Sequence, residues 1–205
     1  MTRFSRKLSL DEPVHISFME TNIQEAISAV SRESDGTISA RYCTESEKHF
    51  KELFEEKKLI FETVAEFSPL LATKKDCSPG KSEKISPEIL RKCVEITFGD
   101  LFVPSPADAK KPESAQISSK RIFVYDLTTG FSLLENVPNS YMYTSPLPKG
   151  IAERYGLTSK RIDLRGLTCK DILIYRRDYK LSELDKKFIT EVCSAKRECF
   201  HNLDF

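Results

Sequence analysis

Residues 14–30 read VHISFMETNIQEAISAV, and their reading decides the fold class. Val14, Ile16 and Phe18 alternate with His15 and Ser17, the period-2 signature of a half-buried strand. Thr21 then opens a capping box with Gln24, and Ile23, Ala26, Ile27 and Val30 recur on one helical face. A strand feeding directly into an amphipathic helix calls for a core shared by sheet and helices, an α+β fold.

The same alternation continues outward. Asp35-Gly36 is a turn signal, after which Ile38, Ala40 and Tyr42 alternate as a second strand. Thr44 and Glu47 form another capping box, and the helix behind it extends to about Glu66, with Phe50, Leu53, Phe54, Ile60, Phe61 and Val64 along one side. Pro69, Pro79 and Gly80 break the pattern between residues 67 and 85, which reads as a loop. Ser86-Pro87-Glu88 starts a further helix with Ile89, Leu90, Cys93, Val94 and Phe98 on its apolar face.

These elements group residues 14–98 as one α+β unit. Residues 1–13 read as a flexible basic arm. Residues 99–120, with Pro104, Pro106 and Pro112 among Ala, Ser and Lys, read as a linker. Residues 121–205 form a second unit: a strand at Ile122–Leu127, a Thr128–Gly130 turn, and a short strand at Phe131–Leu134. An irregular stretch with Tyr141 and Tyr143 follows, then short helices at about 150–155 and 159–164. A strand at Asp171–Tyr175 and a helix capped by Ser182 complete it. The expectation is therefore two small mixed helix/strand units joined by a Pro/Ser/Lys-rich linker.

The chain has 205 residues and a formal net charge of +1, which excludes a strongly basic coat protein or an acidic tail. The longest apolar runs, Ile122–Tyr125 and Ile172–Tyr175, fall far short of a membrane span, and the basic start has no apolar core behind it like that of a secretory signal. The six cysteines then read as free thiols in the cytoplasm or nucleus, not in a secreted protein. Seven scattered glycines offer no phosphate cradle, and neither a HExxH helix nor a GxSxG elbow occurs. Cys169, Cys193, Cys199 and His201 lack the paired spacing of a structural zinc site. No catalytic residue, cofactor or metal is assigned.

One segment carries a resemblance. Residues 151–162, IAERYGLTSKRI, resemble the helix-turn-helix of DNA-binding repressors: Ala152 is the small residue of the first helix, Gly156 the turn, Leu157 and Ile162 the apolar anchors, and Thr158 the cap. The resemblance implies that Lys160, Arg161 and Arg165 sit on the exposed side of a second helix, where phosphates or base edges are met. The same residues also read as a corner that closes a small domain. Residues 148–180 hold nine basic against four acidic side chains, and Arg176, Arg177, Tyr179 and Lys180 extend the basic surface.

The leading expectation is a non-catalytic interaction or regulatory protein that binds a macromolecular partner through its basic carboxyl-terminal half. The alternative is a nucleic-acid binder using residues 151–180, and the second alternative an enzyme with a Cys–His site built on His49 or His201. Ser9, just after Arg6-Lys7, is a candidate phosphorylation site.

Overall fold

The computed structural model describes residues 2–9, 11, 13–18, 20–32, 38–99, 118–162 and 167–201. They form a mixed helix-and-strand fold with two sheets, and the chain passes between them at residues 67–70 and again at 160–169.

The first lobe is a three-stranded sheet in the order β1-β8-β2, made of β1 (Ile38–Cys43), β8 (Cys169–Arg176) and β2 (Leu59–Phe67). Both outer strands run antiparallel to β8, so β1 and β2 are parallel to each other. Helices α2 (Ile23–Arg32) and α3 (Glu47–Glu56) cover one face, and Ile23, Ile27, Val30, Tyr42, Phe50, Phe54, Leu59, Ile172 and Ile174 make its core. The helical periodicity read from residues 23–30 is the one that is buried: Ile23, Ala26, Ile27 and Val30. Its cap differs, since the Glu25 amide donates to Asn22 Oδ1 at 2.9 Å. On the other face lies α8 (Glu183–His201), against which α1 (Thr2–Ser5) docks.

The second lobe is a five-stranded sheet in the order β5-β4-β6-β3-β7. Its strands are β3 (Leu70–Lys74), β4 (Val94–Phe98), β5 (Arg121–Val124), β6 (Ser140–Thr144) and β7 (Leu157–Lys160). β4 is parallel to β5 and β6, whereas β3 is antiparallel to β6 and β7. Helices α6 (Leu127–Asn136) and α7 (Lys149–Arg154) meet one face around Ala72, Ile96, Met142 and Leu157. The short α5 (Pro87–Arg91) covers Leu71, Cys93 and Tyr141 on the other, beside the four-residue α4 (Ser78–Lys81).

Several sequence expectations are corrected. The helix read through to Glu66 ends at Glu56: Lys58 turns the chain at φ 56°, and Leu59–Phe67 is recruited as β2 because β8 needs a second neighbour. The loop at 67–85 contains β3 and α4, and the helix opened by Pro87 stops at Arg91 so that Val94–Phe98 can become the strand β4. The Thr128–Leu134 turn and strand are instead α6, capped by Asp126, whose Oδ1 accepts from the Thr129 amide at 2.8 Å. Val14, Ile16 and Phe18 form no strand, stand outside both sheets and are exposed at 43, 38 and 61%.

The sequential division also differs from the observed one. β8, from the second half of the chain, completes the sheet of β1 and β2, while β4 pairs with β5 and β6 across residues 99–120. Most of that expected linker, residues 100–117, lies outside the described residues. The arm is anchored in its first turn: Phe4 is buried with its ring edge-on to Phe188 at 5.5 Å, and Arg3 pairs with Glu198.

Gly80 is held by its surroundings, because a Cβ there would lie 2.1 Å from the Lys74 carbonyl oxygen and 2.6 Å from that of Lys75. Both obstacles are backbone. Gly80→Ala is expected to cost about 1–3 kcal/mol, typical of overpacking, read as a lowered urea midpoint at unchanged slope.

Candidate functional site

The two crossings fix where a site can form. In the second lobe, Leu70 stands opposite Thr144 and Leu71 opposite Lys160, so the carboxyl ends of β6 and β7 lie where the chain enters and leaves. In the first lobe, Cys169 pairs with Cys43 and with Phe67, which places the carboxyl ends of β1 and β2 at the same crossings. Both lobes thus turn the carboxyl ends of their parallel strands toward one another. The second lobe also changes winding direction there: β5 lies on one side of β4 and β6 on the other. Ligands of open α/β sheets collect outside the strand carboxyl ends at such a switch point.

The side chains here are polar and come from both lobes. Glu20, just before α2, accepts the Leu127 amide of α6 on Oε2 at 2.9 Å and so bridges the lobes. Tyr125, at the end of β5, is 76% exposed. Asp126 is held below the usual carboxylate range by its hydrogen bonds with the Thr129 amide and hydroxyl. Thr144, ending β6, is buried, and its hydroxyl has no hydrogen-bond partner. On the first-lobe side, Thr44 Oγ1 donates to the Thr168 carbonyl at 3.2 Å.

A separate cavity of about 230 Å³, lined by Ser78, Glu88, Ile89, Lys92, Cys93 and Asn139, lies at the amino ends of β4 and β6, away from the crossings. Among the described residues, no three His, Cys, Asp or Glu side chains gather as metal ligands.

Comparison with known proteins reaches the chain through its structure. No family model matches the sequence, and no curated protein does. Solved structures do match. The effector-binding domain of QuiR in complex with shikimate superposes with a TM-score of 0.61 at 14% identity, over 96% of this chain and 88% of that one. The likeness is one of fold, two lobes each built on its own sheet. The cofactor-binding domain of the Cbl transcriptional regulator gives 0.57 at 13% identity, over 85% and 72% of the two chains. The substrate binding protein of an amino acid ABC transporter gives 0.55 at 12%, over 98% and 79%.

These likenesses overturn the expectation of a macromolecular partner held by the basic carboxyl-terminal half. The neighbours are effector-, cofactor- and substrate-binding domains, and the geometry separates the residues that the basic reading joined. The helix-turn-helix does not form: α7 ends at Arg154, Gly156 turns at φ 61°, and Leu157–Lys160 is the strand β7, paired antiparallel with β3 from Leu157 opposite Lys74 to Lys160 opposite Leu71. Lys160 donates its ammonium to the Ser82 carbonyl. Arg161 follows β7 and is exposed, and Arg165 lies outside the described residues.

Arg176 closes β8 at its far end. The eight residues of β8 put it about 25 Å from the crossings, where it pairs with Asp178. Tyr179 donates to Asp185 at 2.6 Å, while Arg177 and Lys180 are exposed. Within the basic stretch, Lys170 is bound by Glu47 at 3.0 Å and lies 3.8 Å from Glu66. Among the described residues, the candidate basic side chains are divided between β7 and the far end of β8.

A nuclear location and phosphorylation find no support in these likenesses. Ser9 closes a local turn, its hydroxyl donating to Asp11 at 2.9 Å, and the matched domains give no support for a modification there. Among the described residues no helix is long and apolar enough to cross a membrane.

Glu20, Leu127 and Thr144 were missed from sequence. The legible signal was Asp126: a strand-like run ending in Asp followed by Leu-Thr-Thr is a helix start at a strand's carboxyl end.

Proposed function

We propose that this chain is a ligand-binding regulatory domain, not an enzyme, which takes a small polar organic molecule between its lobes at the strand carboxyl ends. The supporting observation is that both lobes direct those ends to the two crossings. Glu20 already joins the lobes across that space. The domain of QuiR, similar in fold, was solved with shikimate. A molecule contacting both lobes stabilises their closed arrangement by its differential affinity for it. Glu20, Tyr125 and Thr144 are the side chains proposed to meet it.

The test is a thermal-shift and calorimetric survey with shikimate, related small carboxylic acids and free amino acids. A true ligand raises Tm saturably; at one hundred times its Kd it adds about 2.7 kcal/mol of stability. A survey in which no compound shifts Tm in a dose-dependent way overturns the reading.

Thr144→Val separates binding from folding. The hydroxyl is buried without a partner, so the isosteric valine is expected to leave unfolding stability unchanged or raise it by about 1 kcal/mol. The same change weakens ligand binding by roughly 5- to 10-fold, the loss of about one hydrogen bond. Urea unfolding and calorimetry on one preparation read both effects.

A further inference from the structure

We propose that Cys43 and Cys169 are a dithiol site that closes to an intramolecular disulfide, tying the carboxyl end of β1 to the point where the chain re-enters the first lobe. The two cysteines are direct partners across the β1/β8 ladder. The next pair out, Thr44 and Thr168, is joined by a backbone hydrogen bond of 2.9 Å from the Thr44 amide. In an antiparallel ladder the pairs alternate, so Cys43 and Cys169 occupy the non-hydrogen-bonded position, where Cα atoms are about 4.5 Å apart and side chains approach closely. That spacing lies inside the range a disulfide spans, about 4.4–6.8 Å. Neither cysteine is bridged in this structure, and the two side chains share one buried cluster.

Their placement gives the bond a consequence. Cys43, Cys169, Phe67 and Leu167 share one buried cluster, closed by Phe200 of α8. Phe67 starts the first crossing and Leu167–Cys169 ends the second. A bond between the sulfurs therefore fixes the place where the chain leaves and re-enters the first lobe. The Arg41 guanidinium favours the Cys169 thiolate. Opposing it, the Cys43 side chain and burial hold the Cys169 thiol well above its ordinary pKa. Exchange is consequently slow while the strand ends stay closed, and the equilibrium, not the rate, is the measurement to make.

The oxidant is a low-molecular-weight disulfide. One cysteine, as thiolate, attacks it; its S–S bond breaks, a mixed disulfide forms and one thiol leaves. The second cysteine gives up its proton and attacks the first cysteine's sulfur, expelling the second thiol. Two protein thiols are oxidised by two electrons, and one small disulfide is reduced to two thiols.

The experiment equilibrates the full chain in reduced/oxidised glutathione buffers of increasing ratio, quenches with acid, alkylates and maps peptides by mass spectrometry. The expected result is a Cys43–Cys169 disulfide whose fraction rises in one two-electron transition and approaches completeness at the oxidising end. Cys43→Ala leaves Cys169 without that transition. Recovery of either cysteine at the oxidising end as a free thiol, as a separate glutathione adduct, or bonded to another cysteine overturns the proposal. None of these outcomes depends on whether the domain binds a small molecule.

Discussion

Asp171→Ala is expected to lower the unfolding free energy by about 3 kcal/mol at neutral pH, the lower end of the cost of breaking a buried ion pair. Asp171 is 3% exposed at the centre of the first lobe's sheet, on the face covered by α8. Its carboxylate accepts from Arg41 Nε at 2.6 Å and from an Arg41 terminal nitrogen at 3.1 Å, and Lys196 of α8 reaches it as well. Alanine leaves two cations facing each other across a hole. The loss stays at the low end because Arg41 keeps 34% of its side chain in water and can regain hydration.

The pH dependence of the same site has a definite sign. Burial pushes the Asp171 carboxyl up, but Arg41 and then Lys196 outweigh it, so its folded pKa lies below the ordinary value. A carboxylate with a depressed folded pKa contributes stability that is complete above its unfolded pKa, about 3.9. That contribution is lost as pH falls through the folded value. The stability gap between the native protein and Asp171→Asn is therefore widest at neutral pH and shrinks below about pH 4. Urea unfolding of both proteins at pH 7 and pH 3 measures it; a gap of equal size at both pH values would mean that the ion pair contributes nothing.

What was legible in the sequence follows from the range over which each cause acts. The face of α2 and the strands at Ile38, Ile122 and Asp171 are local periodicities, and they are present where the residues implied them. The strand β2 was not legible. Leu59, Ile60, Phe61 and Val64 suit either a helix face or a strand, and its ladder partner Leu173 stands opposite Glu62, far along the chain. Lys58 at φ 56° gives no warning, because a lysine in that conformation is unlike the glycine such a turn normally uses. In α6, Gly130 looked like a turn; it is a contact residue whose added Cβ would meet Met142 Sδ at 3.3 Å.

The candidate site was less legible than the fold for a related reason. Counting charge along residues 148–180 sums over a strand whose two ends point to opposite poles of one lobe, so a linear excess became two separated groups. Pairing removed more of it, with Asp178 answering Arg176, and Glu47 answering Lys170 from a helix outside the counted stretch. A cleft between lobes is made by two crossings, and neither crossing carries a motif. Only the pairing of Leu70 with Thr144 and of Cys43 with Cys169 reveals that strand ends from both halves of the chain converge.

Phe50→Ala is expected to destabilise the protein by about 4 kcal/mol, within the usual cost of emptying a core phenylalanine site. Phe50 is fully buried on α3, with its ring 5.4 Å from Tyr42 of β1 and 6.2 Å from Phe54. Phe54 in turn lies 5.1 Å from Phe61 of β2. This aromatic chain is what fastens α3 to both outer strands, while β8 between them contributes Ile172 and Ile174 beneath. The site cannot collapse readily, since two of its walls are strands held in register by a third. Phe54→Ala is expected to cost a similar amount. Because the rings touch, the double variant should lose less than the two single losses added together, by about 0.5–1.5 kcal/mol. Urea unfolding of the four proteins of this cycle provides the measurement. Simple additivity would show that the rings stabilise the lobe independently, and a loss below about 1 kcal/mol for either single change would place α3 outside the cooperative core.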